Sequence, residues 1–294
     1  MHNSLKILSI LTIALFAFGL CTTSLVYAKN PKVESREYKL LLEPSLFNGS
    51  DPRSVVTSYW HQLKALIQSE LNRDTKGVLT FSKTRTVKFY DTPGTCQLRA
   101  LDYIFRERTE NWKREVVLKY RSPDRYIAGL QNMMGSQSQA ETKFEEDIGV
   151  PFITKYSHSI KQPLGSDSEL KTLRNIVRLF PGLKVSHFDL DESINLVSGL
   201  MITEKLYKGA KVDLGKKNGK FTLTLWYISP DSTSPVIAEI SFKYGDADEN
   251  YSKKVVTRAK RLFEMMQGMS VWVAKTSSTK TAFVFGYSQA LFCD

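Results

Sequence analysis

The chain has 294 residues, and its 41 lysines and arginines against 30 aspartates and glutamates give a formal net charge of +11. Such an excess of positive charge predicts anionic partners, although charge describes association and solubility rather than fold. The sequence contains no internal repeat, no low-complexity tract and no proline- or serine-rich linker, which argues against a repeat architecture and favours one folded domain.

The first residues have the pattern of a secretory signal peptide. Lys6 precedes an apolar run over 7–20 that is too short to span a bilayer comfortably, and small residues follow at 26–28. We therefore expect residues 1–28 to be cleaved and the mature protein to be periplasmic or secreted, with no stable membrane insertion. A non-cleaved anchor is the alternative. Cleavage would remove one lysine and no acidic residue, leaving a net charge of +11 − 1 = +10.

The first half of the mature chain is predicted to contain several strands and one long helix. Apolar residues recur at helical spacing over 54–72, which indicates an amphipathic helix. Asn111 and Trp112 form a predicted turn between two strands, and residues 135–139 form a predicted loop. The segments that alternate between apolar and polar residues, each predicted as a strand, are 36–43, 85–90, 102–108, 114–121, 141–147 and 152–160.

The second half adds two helices and further strands. A helix is predicted over 167–180, with acidic residues at its start and Pro181 after its end, and another over 252–266. Asn218 and Gly219 predict a hairpin turn, and the apolar segment 281–287 suggests an extra edge strand. The remaining predicted strands are 201–207, 210–214, 221–229 and 236–244.

Charged side chains share one face of many of these strands, because residues two apart on a strand point the same way. Arg106 and Arg108 share a side, and Glu115, Lys119 and Arg121 form a second row. One interpretation is the solvated face of an antiparallel sheet. The other is that helices cover the apolar outer face while the charges line a water-filled tunnel. The three amphipathic helices need an apolar surface, which favours the tunnel, but periodicity alone does not decide.

Two cysteines remain in the mature chain, Cys96 and Cys293. In an exported protein a disulfide between them would tie the C-terminal tail to the corner after Pro93. Two free, buried thiols are the alternative, because spacing alone does not define the pairing.

Several motifs resemble the CYTH, or triphosphate tunnel metalloenzyme, superfamily, over residues 34–266. The central motifs are Tyr90-Asp91-Thr92-Pro93, Phe105-Arg106-Glu107-Arg108 and Leu118-Lys119. Ser35-Arg36-Glu37-Tyr38-Lys39 matches the last two functional positions of the opening Glu-x-Glu-x-Lys strand of the family. Ala238-Glu239-Ile240-Ser241 matches one half of a later Glu-x-Glu pair.

The resemblance implies an α+β fold, an eight-stranded antiparallel tunnel-like β-barrel with flanking helices. This tunnel domain would cover residues 29–270, with 271–294 as a C-terminal tail. Activities in the family include hydrolysis of thiamine triphosphate, inorganic triphosphate and RNA 5′-triphosphates, and cyclisation of ATP. The implied partner of this chain is a triphosphate, a related phosphate-rich small molecule or a polyphosphate anion, and nucleic acid is not an expected partner.

The resemblance, together with the alternating charged faces of the strands, implies the residues of the site. The substrate-binding cations would be Lys39, Arg106, Arg108, Lys119, Lys143 and Lys211. Glu37, Lys39 and Glu239 would be catalytic. A divalent cation, magnesium or manganese, would be held by Glu37, Glu239 and Glu141. The corner at Asp91 and Thr92 is interpreted as structural rather than catalytic.

Serines interrupt both acidic motifs, which leaves the activity open. A hydroxyl at Ser35 or Ser241 is a poor substitute for a carboxylate on a hard cation, and Glu141, Glu145 or Asp213 would have to compensate. Three hypotheses follow. The chain is an exported metal-dependent phosphohydrolase, a degenerate tunnel that binds a polyphosphate-like anion without turnover, or a basic β-rich envelope protein that binds polyanions nonspecifically.

Overall fold

The computed structural model describes residues 31–183, 188–275, 279–287 and 292–293, so the predicted signal peptide lies outside the described residues. The strands are β1 (Ser35–Leu42), β2 (Thr75–Lys76), β3 (Thr80–Asp91), β4 (Tyr103–Glu110), β5 (Lys113–Ser122), β6 (Glu141–Gly149), β7 (Ile153–Leu164), β8 (Asn195–Asp213), β9 (Asn218–Tyr227) and β10 (Ile237–Gly245). The helices are α1 (Arg53–Leu66), which continues as a short π-helix over Ile67–Leu71, α2 (Gln97–Ala100), α3 (Arg125–Gly129), α4 (Leu173–Leu179), α5 (Lys253–Gln267) and α6 (Lys280–Gly286). Among the helices of the described residues, none combines the length and the apolar character that crossing a membrane requires.

Nine strands close into a barrel in the order β8-β3-β4-β5-β7-β6-β1-β10-β9, with β9 pairing back onto β8. The short β2 pairs only with β8. The α+β class is confirmed, but the prediction of eight antiparallel strands is wrong, because β1 pairs in parallel with β6. The parallel pair arises because β1 fits between β6 and β10, with Ser35 opposite Glu145 on one side and Gly245 on the other.

The helices cover the outer, apolar face of the barrel. α1 and α5 contribute Trp60 and Phe263 to a buried cluster with the outward residues of β1 and β10. In that cluster the rings of Tyr38 and Phe242 stack with their centroids 4.6 Å apart. α4 packs in the same way against the outward residues of β4 and β5. Because strand side chains alternate, the opposite, charged faces point into the barrel, as the tunnel interpretation predicts.

Three local predictions differ from the structure in their bounds, for identifiable reasons. The predicted strands 201–207 and 210–214 belong to one strand, β8, which continues through a register shift beside Gly209 at φ +118°. Asn218 and Gly219 lie within β9, and the hairpin turn spans 214–217 with Gly215 at φ +110°. The helix predicted from 167 begins at Leu173 because Thr172 and Asn175 form a reciprocal cap at that point.

The C-terminal segment forms a helix instead of the suggested edge strand. Thr279 caps α6 through its hydroxyl, and α6 packs against inward apolar residues at one end of the barrel, closing that end. The residues of this cluster include Val87, Phe89, Ile202, Trp226, Ile237, Val284 and Phe285. The disulfide alternative is the correct one: Cys96 is bonded to Cys293, and the amide of Gly94 donates to the carbonyl of Phe292 at 2.8 Å.

Removing this disulfide should destabilise the protein. It joins residues 197 positions apart, and a cross-link over a long loop typically contributes about 2–4 kcal/mol. For Cys293→Ser we expect the melting temperature to fall by roughly 5–15 °C in scanning calorimetry. Cys96→Ser should give the same shift and the double variant no further loss. Equal melting temperatures for wild type and both single variants would contradict a stabilising bond.

Candidate anion-binding tunnel

Charged side chains from separate strands converge inside the barrel. They are Glu37 and Lys39 on β1, Arg85 on β3, Arg106 and Arg108 on β4, Lys119 and Arg121 on β5, Glu145 and Asp147 on β6, Glu204 on β8, and Glu239 and Lys243 on β10. Ion pairs between non-adjacent strands show the convergence. The Arg121 guanidinium lies 3.6 Å from the Asp147 carboxylate, and Lys243 Nζ lies 3.0 Å from Glu145 Oε1.

One part of the interior is neutralised around Asp147, which is 8% exposed. Lys39 Nζ donates to Asp147 Oδ1 at 2.7 Å, and Ser157 Oγ donates to Oδ2 at 2.6 Å. Burial opposes ionisation of Asp147, but the charges of Lys39, Lys119 and Arg121 outweigh burial and hold the pKa of this carboxyl well below its usual range. Asp147 is therefore the internal counter-ion of several cations.

A second neutralised region surrounds Glu204. Its carboxylate accepts from Arg85 Nε, and from Trp226 Nε1 at 2.9 Å. Burial raises the pKa of Glu204, but Arg85 and then Lys280 outweigh burial and lower the pKa to about 2. Arg85, unlike its neighbours on β4, therefore has a close anionic partner.

Three inward cations lack such partners. The Nε atoms of Arg106 and Arg108 are buried and have no hydrogen-bond partner among the described residues. Arg106 and Lys119 have no carboxylate oxygen within 4 Å in the part of the chain that the structure describes, and the nearest to Arg108 is Glu115 at 3.9 Å. An unmet buried donor costs about 1–3 kcal/mol, and more when it is charged.

The pKa values of these cations show how unfavourable the positive charge is here. Burial, followed by repulsion from Arg108, lowers the pKa of Arg106 well below its usual value. Burial, followed by repulsion from Arg85, lowers the pKa of Arg108 to about 10. Burial lowers the pKa of Lys119 to about 8, and Asp147 offsets only part of that effect. Burial and repulsion between cations therefore both oppose the positive charges at these positions.

Two cavities adjoin these charges. The inner cavity, about 40 Å³, is lined by Phe89, Ile104, Arg106, Val117, Lys119, Arg121 and Thr281. It has room for isolated water molecules rather than a chain of phosphates. The outer cavity, about 220 Å³, includes Lys143, Lys220, Lys243 and Glu145 in its lining. The larger cavity thus has lysines around it and lies towards solvent, as the exposure of Lys143 shows.

The structure brings together most, but not all, of the residues that the sequence singled out. Lys39, Arg106, Arg108 and Lys119 share the barrel interior with the acidic candidates Glu37 and Glu239. Lys143 lies at the outer cavity. Lys211 is exposed and is the register partner of Lys220. Glu141 is also exposed and lies 3.1 Å from Lys161.

The predicted metal ligands do not fit a divalent cation. Each is paired with a lysine: Glu37 with Lys39 at 3.2 Å, Glu239 with Lys280 at 2.8 Å, and Glu141 with Lys161 at 3.1 Å. No group of three or more His, Cys, Asp or Glu side chains suited to a metal ion occurs within the described ranges. A hard cation needs several free oxygen ligands, and ammonium groups occupy these carboxylates instead.

The suggested compensating carboxylates are also engaged. Glu145 does point inward, but it accepts hydrogen bonds from Ser35 Oγ at 2.9 Å and Lys243 Nζ at 3.0 Å. Asp213 is paired with Arg73 instead. Neither of these carboxylates is therefore free to replace the metal ligand that is missing at Ser35 or Ser241.

Sequence reasoning assigned no role to several residues of the interior. Arg121 and Asp147 stand in the alternating polar rows, which was a usable signal. Glu204 and Lys280 had no such signal in the sequence, because no charged residue stands two positions away from either of them. Asp91 behaves as predicted: its buried carboxylate accepts from the backbone amides of Thr92, Leu98 and Arg99 and so supports the corner.

The low pKa of Lys119 predicts a pH dependence. As the pH rises from 7 to 9.5, folded Lys119 loses its proton while the unfolded side chain, with a pKa of about 10.4, keeps it. Loss of the proton removes the cost of burying the charge, so the folded state becomes more stable. It also removes one positive charge from the interior, so the affinity for an anion should decrease several-fold. Titration calorimetry with tripolyphosphate measures this decrease. Lys119→Arg keeps its charge and controls for ionisation of the ligand. A parallel pH profile in both proteins would contradict the prediction.

Comparisons with known proteins find only distant likenesses. No protein-family model and no curated protein sequence matches the chain. Among solved structures, the chain is similar to a candidate adenylyl cyclase from Hippeastrum, described with a dominant triphosphatase activity, at 13% identity and a TM-score of 0.41, over 88% of this chain and 99% of that one.

Two bacterial structures give similar matches. A candidate adenylate cyclase from Bacillus halodurans matches at 11% identity and a TM-score of 0.38, over 87% of this chain and 99% of that one. Another from Vibrio parahaemolyticus matches at 9% identity and a TM-score of 0.34, over 86% and 98% of the two chains. All three TM-scores are below 0.5, so no property of these proteins is carried over to this chain.

Proposed function

We propose that this chain is a divergent, exported CYTH protein that binds a triphosphate- or polyphosphate-type anion inside its barrel. The observation that carries the proposal is the pair of buried Nε atoms on Arg106 and Arg108 that have no hydrogen-bond partner among the described residues. Buried polar groups without partners are rare in native proteins. A ligand with several acceptor oxygens would supply the missing partners.

Phosphate is an anion that suits these side chains. A guanidinium group offers a planar fork of donors that matches two phosphate oxygens, and such charge-assisted hydrogen bonds are stronger than neutral ones. Arg106 and Arg108 lie two residues apart on β4 and can each bind a phosphate group of one chain, with Lys119 beside them on β5. The inner cavity is small, so we expect the long side chains around it to move apart as the anion enters past Lys143 and Lys243.

The position of the cations argues against nonspecific surface binding. A basic envelope protein that attracts polyanions by its surface charge alone would need no inward cations. Here Arg106, Arg108 and Lys119 lie inside the barrel, although burial lowers the pKa of all three. The predicted signal peptide adds that the anion is met outside the cytoplasm, where nucleoside triphosphates are scarce, which favours inorganic polyphosphates.

Calorimetric titration tests the proposal. We expect the mature protein to bind tripolyphosphate at least tenfold more tightly than citrate, which is also multiply charged but has carboxylates instead of phosphates. The preference should persist at 150 mM salt, since the buried cations are screened much less than exposed ones. Equal, weak binding of both anions that disappears with salt would reject the enclosed site.

Hydrolysis is the second candidate function, and one lumen carboxylate favours it. The side chain of Glu37 remains 22% exposed beside Lys39, so Glu37 can accept a proton from a water that attacks a bound phosphate in line. Release of inorganic phosphate from tripolyphosphate, measured with magnesium, with manganese and with EDTA, decides this point. If Glu37→Gln turns over as fast as wild type, Glu37 is not the base.

A further inference from the structure

A lysine from the C-terminal helix occupies the interior of the barrel. Lys280 is the first residue of α6, and its Nζ donates to Glu239 Oε1 at 2.8 Å. The two side chains are only 18% and 15% exposed. The ammonium also lies 5.2 Å from the ring centroid of Trp226, on β9. Lys280 is therefore part of the lining of the tunnel and not a surface residue of the tail.

The ammonium of Lys280 acts on a second inward carboxylate. After burial and Arg85, the charge of Lys280 has the largest influence on the pKa of Glu204. Glu204 and Glu239 lie on β8 and β10, which flank β9 in the barrel. Lys280 thus forms an ion pair with one carboxylate of the interior, Glu239, and its charge also influences a second one, Glu204.

The helix that supplies Lys280 is held in place. Ser198 Oγ donates to the carbonyl of Val284 at 2.8 Å, and the disulfide of Cys293 attaches the tail to the corner at Cys96. Thr281, the next residue along α6, lines the inner cavity together with Arg106, Lys119 and Arg121. The residue that follows Lys280 is consequently fixed beside two of the cations that lack partners, Arg106 and Lys119.

We propose that Lys280 takes the place of a divalent cation in this tunnel, so that the phosphate-type anion is bound without a metal ion. The inference rests on the proposed function and adds that the anion binds in its metal-free form. An ammonium group has three donors, one of which is used by Glu239, and the others are available to phosphate oxygens. Two of the three predicted metal ligands, Glu37 and Glu239, have lysine partners inside the same barrel, which agrees with this assignment.

The proposal and a metal site make opposite predictions for Glu239. If Glu239 held a metal ion, Glu239→Gln would weaken metal-dependent binding of the anion. If Lys280 is the cation, Glu239→Gln removes its competing partner, so affinity for the anion should stay the same or rise. The substitution preserves shape and removes one negative charge, which makes it a suitable probe.

Titration calorimetry with tripolyphosphate, in EDTA and in magnesium, tests the proposal on the mature protein. We expect wild type to bind in EDTA with an affinity within about threefold of that in magnesium, after correction for the magnesium complex of the ligand. Lys280→Gln should bind about tenfold more weakly in EDTA, the loss of one charge-assisted hydrogen bond, and Lys280→Arg should remain close to wild type. Lys253→Gln, at an exposed position of α5, is the matched control.

Each outcome has a defined meaning. Binding that requires magnesium and is lost in Glu239→Gln overturns this inference and leaves the proposed function standing. Unchanged affinity of Lys280→Gln in EDTA overturns the role of Lys280. No binding in either buffer rejects the proposed function itself. Should Lys280→Gln fail to fold, as a melting curve would show, Glu239→Gln and Lys280→Arg decide, and weaker binding in EDTA by both overturns the proposal.

Discussion

Replacing Arg106 and Arg108 together by alanine should reduce the affinity for tripolyphosphate by at least 100-fold. Each guanidinium would contribute charge-assisted hydrogen bonds to the bound phosphates, worth about 1.5–3 kcal/mol apiece. Losing both therefore corresponds to about 3–6 kcal/mol, or 100-fold to more than 10,000-fold, at 1.4 kcal/mol for each factor of ten. Titration calorimetry at fixed salt measures this loss directly.

The same double variant should be no less stable than wild type when ligand is absent. Two like charges 4 Å apart repel by about 4 kcal/mol at an effective dielectric constant of about 20, and burial lowers the pKa of both arginines. Removing them relieves that repulsion but also removes packing by their aliphatic stems. We expect an equal or higher free energy of unfolding in urea, which is unusual for residues inside a barrel.

A matched pair of exposed lysines controls for net charge. Lys253→Ala with Lys254→Ala also removes two positive charges, from the exposed first turn of α5, and should change the affinity less than threefold. If both double variants lost affinity equally, long-range charge and not the interior would explain binding. If Arg106→Ala with Arg108→Ala lost several kcal/mol of stability, the arginines would be structural.

Alternation and amphipathic periodicity predict much of this fold because they are local properties. Charged residues two apart on β4 and β5 define one face, and α1 and α5 are recognised by their apolar stripes. The parallel pairing of β1 with β6 could not be predicted, since the pairing partner of a strand depends on the closure of the whole barrel. The single strand β8 was also missed, because a bulge at Gly209 looks like a strand end in the sequence.

The candidate site was predictable only where its charged residues stand in strand motifs that the sequence shows directly. Arg106 and Lys119 stand in strand motifs, so both the pattern and the family resemblance pointed to them. Lys280 belongs to a tail that periodicity described as β-prone, and only the closure of one barrel end by α6 brings it to Glu239. At Glu239 the metal prediction did not fit for the same reason: the lysine that pairs with this carboxylate comes from a distant part of the chain.

Asp147→Asn should destabilise the unliganded protein strongly. Asp147 is the carboxylate nearest to Lys39, and Arg121 and Lys119 also depend on its charge. Removing one partner of a buried ion pair leaves an uncompensated charge and costs about 3–5 kcal/mol. We expect a loss of this size in the free energy of urea unfolding, whereas Asp231→Asn, at an exposed position, should have almost no effect.

The pH dependence of this loss identifies its electrostatic origin. The pKa of Asp147 is lowered in the folded protein, so its contribution is complete above the unfolded value of about 3.9 and is lost as the pH falls further. The difference between wild type and Asp147→Asn should therefore be constant from pH 7 to about 5 and decrease below about pH 4. A difference that stays constant down to pH 2 would indicate lost packing or hydrogen bonds instead.

Tripolyphosphate should restore part of the stability that Asp147→Asn loses. With the internal counter-ion removed, Lys39, Lys119 and Arg121 become available to the ligand, and a ligand that binds only the folded state stabilises it in proportion to its affinity. The rise in melting temperature on adding ligand should thus be larger for Asp147→Asn than for wild type. An equal rise would mean that Asp147 and the anion do not share these cations, and that the anion binds elsewhere.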